Sequence, residues 1–370
     1  MRVMIVVTHL LGTGHLVRAL NLARACVDAG HSVTLVSGGM PVVHLDFTGV
    51  DMVQLPPLRS DGVDFTRLLT SDGSVASATL RQERIDTLLR VLAKSQPDTL
   101  ITELFPFGRR NLRDEFAALL SAARGTCPVI AASVRDILAP PSKPSKVTFA
   151  DDMISSYYDL VLVHSDPDLV PLGVSWPETP VLTPRLAYTG FVAPPAPTVG
   201  DARGDTVLVS AGGGPVGQTI FEAAIAAATQ LPQMQWKLMV PGDDNHRSAL
   251  REGAPGNVTI EAPHPDFRHR MARAAVSVSL CGYNTALDVL QTGTPAVFIP
   301  FDDGNEVEQG LRASALSALP GIAVLRQSEL TAQTLRTAVE TTVGVPRDPR
   351  HNRMDGAAET VRILERAHAG

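Results

Sequence analysis

Cysteine is scarce in this chain. Cys26, Cys127 and Cys281 stand far apart in 370 residues, form no Cys-x-x-Cys pair and leave one over from any pairing. Neither a disulfide framework nor a zinc site is expected, no metal ligand set is assigned, and a reducing cytoplasm suits the protein. Long apolar runs are also missing: about 18 consecutive apolar residues occur nowhere, which excludes a helical membrane span and leaves only peripheral contact with lipid. After Arg2 the run from Val3 to Val7 is too short for a signal-peptide core and is broken by Thr8 and His9, so it reads as a buried strand. Positive charge is in deficit, with 32 Lys and Arg against 38 Asp and Glu and a net charge of −6. A nucleic-acid surface needs a clustered cationic field, so nucleic acid is not an expected partner, and an anionic ligand would have to be held locally.

What is present describes a globular protein with many short loops: 44% hydrophobic residues, 29 Gly and 28 Pro. The length exceeds one ordinary core and suggests two domains. Short apolar runs alternate with loops and helical stretches, the pattern of βαβ units that build parallel sheets. Expected strands in the first half are 2–7, 32–36, 52–55, 98–101, 128–132, 160–163 and 187–189. Leu16, Leu20, Ala23 and Val27 recur at helical spacing before Gly30, where a helix would end. Proline and glycine over 193–205 defeat both helix and central strand and mark a linker. The pattern restarts with strands at 206–211, 236–240, 258–261, 276–280, 296–300 and 322–325. The expected division is 1–192, linker 193–205, a second domain 206–345 and a tail 346–370. In that tail Ala357, Val361, Ile363, Leu364 and Ala367 form an amphipathic helix that must pack on one of the domains. The fold class is α/β, two doubly wound Rossmann-like parallel sheets facing across a cleft.

Each half begins with a strand running into a glycine loop: Gly12-Thr13-Gly14-His15 in the first and Gly212-Gly213-Gly214 in the second. A dinucleotide site is the weaker interpretation. The first loop lacks the third glycine of that fingerprint, the second fails its spacing, and the second strand ends in Ser37-Gly38-Gly39 without an acid for a ribose diol. His15 stands at the start of a helix, whose positive end disfavours imidazolium. It is either a neutral acceptor of a hydroxyl proton or a residue that only caps the turn. Glu103, at the carboxyl end of its strand, is placed to orient His15 or bind an acceptor, and Arg135 and Asp136 occupy the same end of the next strand. Arg109, Arg110 and Arg113, beside Asp114 and Glu115, read as a surface ion network. Asp166-Pro167-Asp168 has the spacing of a metal-binding Asp-x-Asp, but an N-cap followed by proline explains it better.

Ser279-Leu-Cys-Gly-Tyr-Asn-Thr285 follows a strand and opens a helix, so Gly282, Asn284, Thr285 and their amides form an anion site at a helix N-terminus. One turn on, Asp288 shares a face with Thr285 and suits a ribose diol. The stretch Phe301-Asp-Asp-Gly-Asn-Glu-Val-Glu-Gln309 offers carboxylates and an amide to sugar hydroxyls.

These residues resemble the donor-binding region of the MurG-like and UDP-glycosyltransferase-like GT-B glycosyltransferases. There, a Gly-x-x-Thr-x-x-Glu/Asp segment precedes a Gly-x-Pro strand and a Gln-containing loop. Gly282, Thr285, Asp288, Gly293, Pro295 and Gln309 match in order. Asp288 is one carbon shorter than the usual Glu, and Glu308 stands where close relatives often carry a second amide. The resemblance implies a UDP-sugar donor, with Thr285 and its amides on the diphosphate, Asp288 on the ribose, and Glu308 with Gln309 on the sugar. It implies further that Gly213 and Gly214 meet the diphosphate, His264 lies by the nucleobase, and Gly12, Thr13 and Gly14 face the acceptor. The segments Glu103–Arg110, Ser133–Asp136 and His164–Asp168 resemble a subgroup of bacterial transferases. The implied activity is metal-independent, inverting transfer of a hexose or N-acetylhexosamine to a hydroxyl of a small-molecule or lipid-linked acceptor, with no cofactor beyond the donor. A nucleotide-sugar epimerase on the same fold and a non-catalytic nucleotide-sugar-binding module are the alternatives. The oligomeric state is left open.

Overall fold

The computed structural model describes the chain except for residues 44, 61–66, 198–203, 212–214, 302–306 and 350–352. It divides into two units, Met1–Val192 with Asp355–Gly370, and Ala193–Met354.

The first unit holds β1 (Arg2–Val7), β2 (Ser32–Ser37), β3 (Asp51–Gln54), β4 (Thr99–Glu103), β5 (Val129–Arg135), β6 (Leu160–His164) and β7 (Leu186–Tyr188). They pair in parallel in the order β3-β2-β1-β4-β5-β6-β7. Helices α1 (Gly14–Asp28), α2 (Ala78–Ser95), α3 (Arg113–Ala123) and α4 (Pro144–Tyr157) connect them. The strands are continuous apolar runs because both faces are covered. In β1, Met4 and Val6 enter one core cluster, while Val3, Ile5 and Val7 enter the other with Leu16, Leu20 and Ala23 of α1. The two-residue period of the strand thus feeds two cores at once. Side chains of this size contribute about 1.5–3 kcal/mol each when fully buried.

The second unit repeats the plan with β8 (Thr206–Ser210), β9 (Gln235–Met239), β10 (Val258–Glu261), β11 (Val276–Ser279), β12 (Ala296–Phe298) and β13 (Ile322–Val324), all parallel in the order β10-β9-β8-β11-β12-β13. Its helices are α5 (Pro215–Ala228), α6 (Asp244–Arg251), α7 (Phe267–Arg273), α8 (Tyr283–Thr292), α9 (Glu308–Leu316) and α10 (Ala332–Thr342). Gly293 ends α8 at φ +63°, a conformation that glycine adopts without strain.

The chain then returns to the first unit. The last helix, α11 (Gly356–Ala369), buries Val361 and Leu364 against α1 and the first sheet. Gly356 donates its amide to Phe191 O at 2.9 Å, and a Cβ at position 356 would fall on Gly190 O.

In each sheet the strand order reverses between a first strand and its fourth: β1 and β4 in the first unit, β8 and β11 in the second. Connections leaving such a pair diverge to opposite faces and open a crevice at the carboxyl ends. His15 lies in the helix that follows β1, Glu103 ends β4, and Gly282 stands just past β11.

Candidate functional site

In the first unit the crevice brings His15 and Glu103 together across 88 positions. His15 Nδ1 lies 3.0 Å from Glu103 Oε1. Gly12 and Gly14 are exposed, with open space where a Cβ would stand, and Thr13 caps α1 without a side-chain bond. His15 is 17% exposed at its side chain, whereas Glu103 is 2% exposed. Arg18, one helical turn after His15, also pairs with Glu103 Oε1 and places Nη2 3.1 Å from His15 Nδ1. Ser133 of β5 donates to Glu103 Oε2 at 2.6 Å, and its oxygen lies 2.9 Å from His164 Nε2. The other ring nitrogen of His164 is 2.8 Å from Thr189 Oγ1. Every member of this chain sits at or just past a strand's carboxyl end, except the two contributed by α1.

The electrostatics follow from burial. Burial, with help from Arg18 and Arg109 and against the Glu103 bond, pushes the His15 imidazole down to about 4. Loss of solvent is thus the leading cause. Burial opposes ionisation of Glu103, but Arg18, His15 and Ser133 outweigh it and hold the carboxyl well below its usual range. Burial, with the Arg18 charge adding to it and Glu103 opposing, takes His164 to about 3. A carboxylate facing Nδ1 keeps the proton there and leaves Nε2 as the acceptor nitrogen of His15.

Arg109 departs from the expected surface network: at φ +57° it turns inward and donates from Nε to Thr8 O at 2.7 Å. Glu115 also turns inward, to a two-pronged pair with the fully buried Arg84 at 2.7 and 2.9 Å. Only Arg113 remains in an exposed pair, with Asp114. Arg135 ends β5 and Asp136 follows it, at the strand's carboxyl end as expected, but both engage the turn at Ile137, and Asp136 is 1% exposed. Asp166 accepts from the amide of Asp168 at 3.0 Å and so closes a turn.

In the second unit Gly282 precedes α8 with no side-chain cap, and no acid occupies the first turn. Asn284 is exposed, Thr285 is half-buried, and nothing within 4 Å would meet a Cβ on Gly282. The first amides of the helix therefore present an uncapped positive end. Beneath it the buried Arg312 of α9 donates to Cys281 O at 2.9 Å and lies 5.8 Å from the Tyr283 ring centroid. Asp288 is buried and bonded to Arg268 of α7 at 2.6 Å. Burial pushes the Asp288 carboxyl up and Arg268 opposes this. His264, half-exposed beyond β10, pairs with Asp266 at 2.5 Å. Glu308 opens α9, and Gln309 turns its side-chain oxygen back to the amide of Phe301 at 3.2 Å. Gly213 and Gly214 lie outside the described residues.

Arg18, Ser133, His164, Arg268 and Arg312 were given no site role from the sequence, although Ser133 and His164 open two of the segments that resemble bacterial transferases and Arg18 lies one helical turn from His15.

Residues 219–364 match the glycosyltransferase family 28 C-terminal domain. The UDP-N-acetylglucosamine--N-acetylmuramyl-(pentapeptide) pyrophosphoryl-undecaprenol N-acetylglucosamine transferase of Brucella anthropi is 31% identical over 144 residues, 36% of this chain and 38% of that protein. The protein of the same name from Corynebacterium efficiens is 30% identical over 167 residues, 45% of this chain and 44% of its own length. The chain thus spans under half the length of the curated relatives it matches. Among solved structures, Acinetobacter baumannii MurG is similar with a TM-score of 0.64 at 16% identity, covering 99% of this chain and 100% of that one. The glycosyltransferase VinC, solved with dTDP, gives 0.63 at 15% identity with both chains covered in full (100% and 100%). The fold is GT-B, as the resemblance implied.

Proposed function

We propose that this chain, a GT-B protein whose second half is similar to the C-terminal domain of family 28 glycosyltransferases, is itself a glycosyltransferase. It moves a hexose or N-acetylhexosamine from a UDP-sugar to an acceptor hydroxyl with inversion and without a metal. The observation that carries this is the uncapped amino end of α8, where Gly282, Thr285 and Asp288 stand at donor-site spacing inside the matched region. Amides and the helix dipole there stabilise the diphosphate as it departs. Asp288 takes the ribose, and Glu308 with Gln309 take the sugar.

The first unit supplies the base. His15 Nε2 accepts the proton of the acceptor hydroxyl as its oxygen bonds to the anomeric carbon and the bond from that carbon to the diphosphate breaks. Glu103 orients the ring and remains ionised beside the imidazolium that forms. Leu11, 53% exposed in the loop before His15, suits an apolar or lipid-linked acceptor such as the one in the curated relatives' name. No described helix is long and apolar enough to cross a membrane. The three cysteines, all buried and in no disulfide, agree with a cytoplasmic location.

Titration calorimetry with UDP tests the donor site. The wild type should bind, and Asp288→Ala should weaken binding about tenfold or more, the worth of a charge-assisted hydrogen bond. Absence of UDP binding, or equal binding by the variant, overturns the proposal. Slow hydrolysis of a UDP-sugar without acceptor separates a transferase from a non-catalytic module.

A further inference from the structure

Asp288 is the centre of a bonded cluster in the second unit. Arg268 of α7 spends all of its guanidinium nitrogens there: Nε donates to Asp288 Oδ1 at 2.6 Å, Nη2 donates to Gln291 Oε1, and Nη1 donates to Pro195 O at 2.7 Å. Gln291, 3% exposed and on the same helix as Asp288, donates its amide to Pro194 O at 2.9 Å. The side chains of Arg268 and Asp288 are 23% and 12% exposed, so this is a sheltered arrangement and not a surface ion pair.

A planar guanidinium bonded along three directions cannot swing without breaking several bonds at once. It presses on one carboxylate oxygen and leaves the other to a ligand. Aspartate is one carbon shorter than the glutamate usual at this position, so its reach depends on where the carboxylate is held. We infer that Arg268 is a positioning residue for the donor, fixing Asp288 so that its second oxygen meets a ribose hydroxyl, and that Gln291 with the Pro194–Pro195 carbonyls braces Arg268. This rests on the donor site proposed above and adds to it a residue that the donor does not touch. It also ties ribose recognition to the segment that enters the second unit.

The test compares UDP with 2′-deoxy-UDP by calorimetry in the full chain, with melting temperatures measured alongside. The wild type should prefer UDP about tenfold, the worth of a hydrogen bond to a charged group. Arg268→Gln should lose most of that preference by weakening UDP while leaving 2′-deoxy-UDP unchanged. Asp288→Asn should lose it to the same degree, with little further loss in the double variant, because the two residues act on one hydroxyl. Arg268→Lys keeps the charge without the fork and should fall between. A wild-type preference retained in Arg268→Gln, or in Arg268→Lys should the first variant not fold, overturns the inference alone. UDP binding by the wild type without preference overturns it together with the role of Asp288, and absence of UDP binding overturns the donor site itself.

Discussion

An imidazole held near 4 is neutral across the physiological range, so His15 needs orientation and no further activation to accept a proton. His15→Ala should lower turnover by about 10²–10⁴-fold, the usual worth of general base catalysis, with UDP affinity unchanged. Equal losses in both would make His15 a structural residue. The pH profile of kcat/KM should be flat above about pH 5 and fall as His15 protonates near 4. Arg18→Met removes a cation 3.1 Å from Nδ1 while leaving the carboxylate of Glu103, which favours imidazolium. The acid limb should therefore move to higher pH, and an unmoved limb would show that Arg18 does not act on His15. Glu103 was legible as a site residue because strand ends of open sheets face the crevice. The inward turn of Arg109 was not, since its acidic neighbours in the chain suggested a surface pair and nothing local told of the carbonyl of Thr8.

At the scale of elements, α8 and α11 show two kinds of legibility. The amino end of α8 could be placed from a strand, a glycine and the helical run after it, because capping is local in the chain. The amphipathic stripe of α11 announces only that one face must be covered. Leu364, fully buried against the first unit, should cost about 2–5 kcal/mol when replaced by alanine, read by urea unfolding. UDP affinity in the second unit should stay unchanged, whereas a loss of it would place α11's stabilising role elsewhere. The partner of Asp288 was invisible at this scale too. Arg268 lies 20 positions earlier on another helix, and only the packing of α7 on α8 brings it near.

For the whole molecule, burial of histidines sets the response to acid. His15 and His164 titrate near 4 and 3 when folded and near 6.5 when exposed. Between about pH 6.5 and 4 the unfolded chain therefore binds more protons than the folded one, and stability falls as pH falls. Asp98, held at about 2 by its bonds to Arg2, extends the loss below pH 4. Melting temperature should drop from pH 7 to 4.5, with a shallower slope in His15→Gln. A flat curve would mean that the imidazoles are not kept neutral by the fold.

The alternation of apolar runs with helical stretches was enough to place the thirteen strands among the described residues to within a few positions, because strand burial on both faces writes itself directly into composition. The Gly12–Gly14 loop before the first helix and the Gly282–Asp288 spacing were likewise legible, being local in the chain. What the tertiary structure alone decided is which charges meet. Glu103 joins residues of α1 and β5, and Arg268 joins Asp288 to Pro195, 73 positions away from the arginine. Such pairs carry no periodic signal, since their energy depends on distance and desolvation in the folded chain and not on order along it.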